Sequence, residues 1–228
     1  MIIATKGGLR MDGDRLVRDA SREWLRKGVE SSLHSLRTDY IDLYQVHWPD
    51  LHTPPEETAG ALEELVAEGK IRHVGVSNYD TEQMRAFSRF GQVETLQPAY
   101  HLFRRDIEET ILPYTADHDM GVLVYGPMAH GLLSGRMTES TTFDFGDWRS
   151  KSPDFTGETF RRNLAVVEQL KGVAQDRDIS LRHHPRRRRA RMGPASRRHA
   201  VSATKGVVPA VLAPPSALQP ACEGFPNR

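Results

Sequence analysis

Tyr40-Ile41-Asp42-Leu43-Tyr44-Gln45-Val46-His47-Trp48-Pro49 is the stretch that decides the fold. It is a short apolar run that stops abruptly at polar residues. Gly75-Val76-Ser77-Asn78-Tyr79 repeats the form downstream. Strands whose C-terminal ends carry the chemistry are the mark of a (β/α) barrel. The same grammar continues on both sides of these two segments.

Upstream, Ile2-Ile3-Ala4-Thr5 reads as a buried strand ending at Lys6. Gly7, Gly8, Gly13 and several charges then read as a loop. Ser21 is placed to cap a helix with Leu25, Val29, Leu33 and Leu36 on one face. Downstream, Thr53-Pro54-Pro55-Glu56 reads as a capping box that opens a second helix, with Leu62, Leu65 and Val66 on one side and Gly69 just past its end. Ile71–Val76 is the next strand. Asp80-Thr81-Glu82-Gln83 is a second capping box, with Met84 and Phe87 as the buried face. Val93–Leu96 predicts a short strand ending at Gln97. Residues 107–118 predict a helix that Pro113 either starts or kinks. Val122-Leu123-Val124 predicts a strand ending at Tyr125-Gly126-Pro127, and residues 158–176 a charged helix.

About five βα units therefore follow one another at the spacing of an α/β barrel. A doubly wound open sheet is the alternative, but no G-x-G-x-x-G opens the first helix. The chain has 228 residues, enough for one sizeable core or two small ones. It holds no apolar run long enough to span a bilayer. No signal peptide is read at its start, and the single cysteine, Cys222, permits no intrachain disulfide. A cytoplasmic location is the expectation from these three features.

The net charge of +1 conceals two kinds of sequence. Residues 182–228 carry ten Lys and Arg against one acid, Glu223; residues 1–181 carry 21 basic and 29 acidic residues. The expected domains are thus a body, 1–181, and a basic Pro/Arg-rich tail, 182–228, expected to be disordered. A phosphate-binding arm is the rival reading of Arg186–Arg189, disfavoured because no aromatic residue lies among the arginines to stack on bases. A third reading is a GC-rich gene translated out of frame after Leu181.

Lys6, His47, Ser77, Asn78, Gln97 and Tyr125 all fall at predicted C-terminal strand ends, which converge on one mouth in a barrel. A lysine beside a histidine there can polarise a carbonyl oxygen or tune a neighbouring acid. Ser, Asn and Gln suit a planar amide, and Tyr125 suits a flat heterocycle. Taken singly each has a plainer reading: Lys6 as a solvated strand end, His47 as a bonded core histidine, Ser77-Asn78 as a turn cap, Tyr125 as loop packing. Their common placement favours a nicotinamide held beside a carbonyl group.

The body resembles the aldo-keto reductase family. The matching segments are Ala4-Thr5-Lys6, Thr38 to Pro49, Glu68-Gly69-Lys70-Ile71-Arg72-His73-Val74-Gly75-Val76-Ser77-Asn78, and Tyr125-Gly126-Pro127-Met128-Ala129-His130-Gly131-Leu132-Leu133-Ser134-Gly135, in family order. The resemblance implies a (β/α)8 TIM-type barrel that reduces aldehydes and ketones with NADPH. It implies that Lys6 and His47 belong to the catalytic tetrad. Ser77, Asn78 and Gln97 would hold the nicotinamide carboxamide and Tyr125 would stack on the ring. Gly126, Pro127 and Met128 would line the pyrophosphate, and Trp48 would border the substrate pocket. No metal is implied.

The resemblance also implies an aspartate and a tyrosine before the lysine, and a basic 2′-phosphate loop after a last strand. Met1–Thr5 holds neither acid, and the arginine-rich tail matches no such loop. The expectation is a barrel lacking about its first two strands and its last, with impaired turnover and open edges prone to self-association. The expected partner is a small carbonyl substrate, with neither membrane nor nucleic acid. A non-catalytic nicotinamide-binding protein on the same fold is the alternative, and nucleic-acid binding through the tail ranks after it.

Overall fold

The computed structural model describes residues 1–179 and Leu181. The basic tail and the readings attached to it lie outside the described residues. The described part divides into two compact units, residues 1–100 with 106–125, and residues 101–105 with the chain from Gly126 onward.

The first unit is a parallel sheet with its helices. Its elements in chain order are β1 (Ala4–Gly7), β2 (Leu9–Asp12), β3 (Arg15–Arg18), α1 (Arg22–Leu36), β4 (Ile41–Val46), α2 (Pro55–Ala67), β5 (Ile71–Ser77), α3 (Thr81–Phe87), β6 (Thr95–Gln97), α4 (Ile111–Asp117) and β7 (Gly121–Val122). Five strands pair in the order β1-β4-β5-β6-β7, all parallel. Each consecutive pair is joined through a helix, so the sheet is an arc of a (β/α)8 barrel. Among the described residues β1 and β7 are its edges.

Register sorts the side chains. Gly7, Val46, Val76, Leu96 and Val122 lie side by side across the strands. Lys6, Gln45, Gly75, Thr95 and Gly121 form the adjacent row. Successive strand residues point to opposite faces. The first row, with Tyr44 and Val74, packs on Leu25 and Val29 of α1, Leu62 and Leu65 of α2, and Met84 and Phe87 of α3. The second row is polar or glycine. Gly75 is needed there, since a Cβ would collide with Thr95 Oγ1 and lie 3.0 Å from Gln45 Cγ.

Ser21 caps α1 by accepting from Trp24 N, and Leu25, Val29 and Leu33 are buried as expected. Leu36 is not; it is 44% exposed because the helix turns out at Arg37 in the left-handed region. Asp80 and Gln83 form a reciprocal capping box on α3, with bonds of 2.8 and 3.0 Å. Such a cap contributes about 1 kcal/mol. The capping box expected at Thr53 does not form. Thr53 Oγ1 donates instead to Asp50 Oδ2 at 2.6 Å, and Pro54 occupies the cap. Pro113 lies in the first turn of α4, where its missing N–H costs nothing.

The segment read as a loop after Lys6 is a hairpin, β2 pairing antiparallel with β3. Charged residues at half of its positions hid the alternation. Gly13, at φ 60, makes its turn.

The second unit is built on α5 (Gly157–Asp176) and a short-helical segment, Ala129–Ser134. Ala129, Leu132, Phe155, Phe160, Leu164 and Val167 make its core, with Phe143 set edge-on to Phe155. Among the described residues it holds no strand of the sheet. No helix there or in the first unit is long and apolar enough to cross a membrane.

Candidate active site

The C-terminal ends of the five strands place the predicted residues of the first unit together. Lys6 is the next-to-last residue of β1 and is exposed. His47 follows β4, half-buried, its backbone N–H donating to Gly7 O at 2.8 Å. Burial lowers the His47 pKa below the ordinary imidazole value, and the positive charge of Lys6 lowers it further. His47 is therefore neutral at pH 7, and Lys6 is close enough to be felt by it.

Asn78 knots three strand ends. It sits just past β5 at φ 63, a left-handed conformation that Asn tolerates better than most residues. Its Nδ2 donates to His47 O at 3.0 Å and to Ser77 Oγ at 3.1 Å, and its Oδ1 accepts from the Tyr125 hydroxyl at 2.7 Å. Ser77 is buried, and its Oγ donates to Gln97 O at 2.8 Å. Gln97 Oε1 is buried with no hydrogen-bond partner. His47, Ser77, Asn78, Gln97 and Tyr125 are thus one network, while Lys6 joins it through its charge.

Trp48 borders this group from the β4 end. The Arg18 guanidinium lies 5.0 Å over its indole ring. Gly126, Pro127 and Met128 belong to the second unit and are described within it. Gly126 is at φ 70, and its carbonyl accepts from Ala129 N at 2.8 Å. Met128 O accepts from Gly131 N at 3.0 Å and Leu133 N at 3.2 Å. Ala129, His130 and Gly131 are successive residues at positive φ, and the N–H groups of Ala129 and Gly131 are bonded within the turn. His130 stands edge-on to Trp148 at 4.7 Å, beside Arg149, in a shallow cleft of about 450 Å³. Burial, then the Arg149 charge, lowers the His130 pKa, and Asp154 only partly opposes them.

Gln45, Thr95 and Arg18 were not among the residues predicted from sequence. Gln45 is only 1% exposed and its Nε2 has no partner; Thr95 Oγ1 is also unpartnered. A glutamine inside the apolar run Leu43–Val46 was the available signal. Arg18 gave none, because its hairpin was not recognised.

The free acceptor at Gln97 tests whether a nicotinamide suits these residues. A buried acceptor without a donor costs about 1–3 kcal/mol. A carboxamide N–H2 would satisfy it. Asn78 already commits both donors inside the protein, so it shapes the floor of the site and offers a ligand only the remaining lone pair of Oδ1. These free acceptors fit the N–H2 end of a planar amide. Among the described residues no three His, Cys, Asp or Glu side chains gather as a metal site would require.

A model of the aldo/keto reductase family matches residues 1–184. The chain belongs to the aldo/keto reductase family. It is 46% identical over 177 residues to aldo-keto reductase YhdN of Bacillus subtilis, covering 78% of this chain and 54% of that protein. It is 36% identical over 161 residues to the NADH-specific methylglyoxal reductase of Escherichia coli, covering 69% and 49%. The solved glycerol dehydrogenase of Gluconobacter oxydans superposes with a TM-score of 0.75 at 42% identity, covering 79% of this chain and 57% of that one. A Klebsiella pneumoniae aldo/keto reductase solved with NADP and acetate gives 0.52 at 34% identity, covering 71% and 49%. The chain spans about half the length of the curated relatives it matches. As a family member it follows the (β/α)8 barrel plan, of which the described residues supply five parallel strands.

Proposed function

We propose that this chain carries the carbonyl-polarising and nicotinamide-holding part of an NADPH-dependent reductase of aldehydes or ketones. The observation that carries the reading is the buried, partnerless Gln97 Oε1 at the end of a network that also contains neutral His47. The Klebsiella relative solved with NADP supports the phosphorylated cofactor; the Escherichia coli relative, named as specific for NADH, supports the other. The Gly126–Met128 turn is proposed for the pyrophosphate.

When bound, the dihydronicotinamide supplies a hydride. The residues of this chain do the rest. Gln97 accepts from the carboxamide and so fixes which ring face is presented. Tyr125, tethered by its hydroxyl to Asn78, provides a flat wall. His47, held neutral, presents a ring N–H to the carbonyl oxygen and orients it. The Lys6 ammonium stabilises negative charge developing on that oxygen. The family's proton donor is a tyrosine before the lysine, and Met1–Thr5 contains none.

The test is a titration of the 228-residue protein with NADPH and NADH, followed by energy transfer from tryptophan to the reduced nicotinamide. Saturable binding that weakens about tenfold in Gln97→Leu is the expected result. Absence of binding, or binding indifferent to Gln97, would overturn the reading.

A further inference from the structure

We infer that Arg18 selects carbonyl substrates that carry an anionic group, a carboxylate or a phosphate, close to the reacting carbonyl. The inference rests on the proposed reductase reading, which makes the Trp48 surroundings the substrate side of the site.

Three arginines of the first unit are half-buried: Arg10, Arg18 and Arg26. Arg10 pairs with Asp19 at 2.8 Å, and Arg26 with Glu68 at 2.7 Å and Glu64 at 3.3 Å. Arg18 has no carboxylate partner among the described residues. Its one side-chain hydrogen bond among the described residues is from Nη1 to Pro49 O at 3.3 Å, and its guanidinium lies over the Trp48 ring. A partly desolvated guanidinium with one neutral acceptor retains unused N–H donors in a planar fork, the arrangement that binds carboxylate and phosphate.

The two nearby acids do not serve it. Asp19 is held by Arg10 and by the backbone and hydroxyl of Ser21. Asp50 accepts from Ala20 N, His52 N and Thr53 Oγ1. Both carboxylates are thus directed away into the β3–α1 and β4–α2 connections.

Placement makes the free fork consequential. The β2–β3 hairpin grows from the C-terminal end of β1, immediately after Lys6, and its last residue is Arg18. The aromatic face against which Arg18 rests belongs to the residue next to His47. Stacking on Trp48 and the bond to Pro49 O remove much of the freedom of the arginine chain. Less ordering is then left to accompany ligand binding. Lys6, felt by His47, and Arg18, set on Trp48, are thus two cations beside the end of β4.

The experiment compares two ketones of equal chain length, 4-oxopentanoate and pentan-2-one, which differ only in a terminal carboxylate against a methyl group. Each is titrated into the 228-residue protein at low salt and followed by saturation-transfer NMR. The expected preference for the anion is about tenfold or more. It falls to about twofold or less in Arg18→Gln and is intermediate in Arg18→Lys. The ratio within each variant controls for folding, because a general loss of structure weakens both ligands. No preference in the parent chain, or an undiminished preference in Arg18→Gln, would overturn the inference. The NADPH titration above is read separately. Failure of NADPH to bind would end the reductase reading, while the ketone ratio would still decide whether Arg18 is an anion site.

Discussion

The two faces of one sheet are built to opposite rules. On the helix side, Val46, Val76, Leu96 and Tyr44 pack among Leu25, Leu62, Leu65, Met84 and Phe87, and nearly every group there is apolar and buried. On the other side, Lys6, Gln45, Thr95 and Gln97 supply an exposed charge and three partnerless buried atoms. Neighbouring residues of the same strand therefore do different work. The first face makes the arc of strands stable. The second leaves polar groups unsatisfied, at a cost in stability, where a ligand can satisfy them.

The comparison breaks first on packing. Leu62→Ala on the helix side should destabilise by about 2–5 kcal/mol in urea unfolding, because α2 cannot collapse into the gap between β4 and β5. A loss under about 1 kcal/mol would mean the two faces are not so unequal. Gly75→Ala, on the open face, should cost about 1–3 kcal/mol. Its methyl meets Thr95 Oγ1, Gln45 Cγ and, at 3.1 Å, the Thr95 carbonyl. A neutral or stabilising outcome would show that the polar row is loosely packed.

Gln97→Leu separates stability from binding. It should raise the unfolding free energy by about 1 kcal/mol by removing an orphaned acceptor, while weakening reduced-nicotinamide binding about tenfold. Both readouts falling together would identify Gln97 as ordinary packing.

Tyr44→Phe tests an exception on the helix side, where the Thr5 Oγ1 is likewise buried without a partner. The Tyr44 hydroxyl is buried, partnerless, and pressed between Gly7 and Gly28, where burial drives its pKa upward. Its removal should stabilise the fold by up to about 1 kcal/mol. Destabilisation would instead show that the oxygen is needed to fill space between β1 and α1.

The smallest effect is one of pH. His47 has a folded pKa below its unfolded value of 6.5, so the unfolded chain binds its proton more readily. Its contribution to stability is complete above 6.5 and is lost as pH falls through the folded value. His47→Gln should flatten that part of the stability profile. An unchanged slope would place the titration elsewhere.

Much of this was readable in the one-dimensional chain. The alternation of short apolar strands and capped helices, the ends at Lys6, His47, Ser77, Gln97 and Tyr125, the cap at Ser21 and the box at Asp80 all follow from local chemistry. Hydrophobic periodicity and the need to satisfy helix N-termini act over a few residues, and few residues suffice to read them. The family, too, is carried by contiguous segments.

Tertiary structure alone decided which of those polar residues are spent and which are free. Asn78 appeared as a ligand-holding amide, yet both its donors close on His47 and Ser77, from residues 31 and 1 positions away. Thr53 left its helix for Asp50. Arg18 came to lie on Trp48 only because a hairpin of charged residues folds back over the end of β4. Hydrogen-bond satisfaction is settled by partners distant in sequence. A residue's type declares what it can do, but only the fold determines whether that capacity remains available to a substrate.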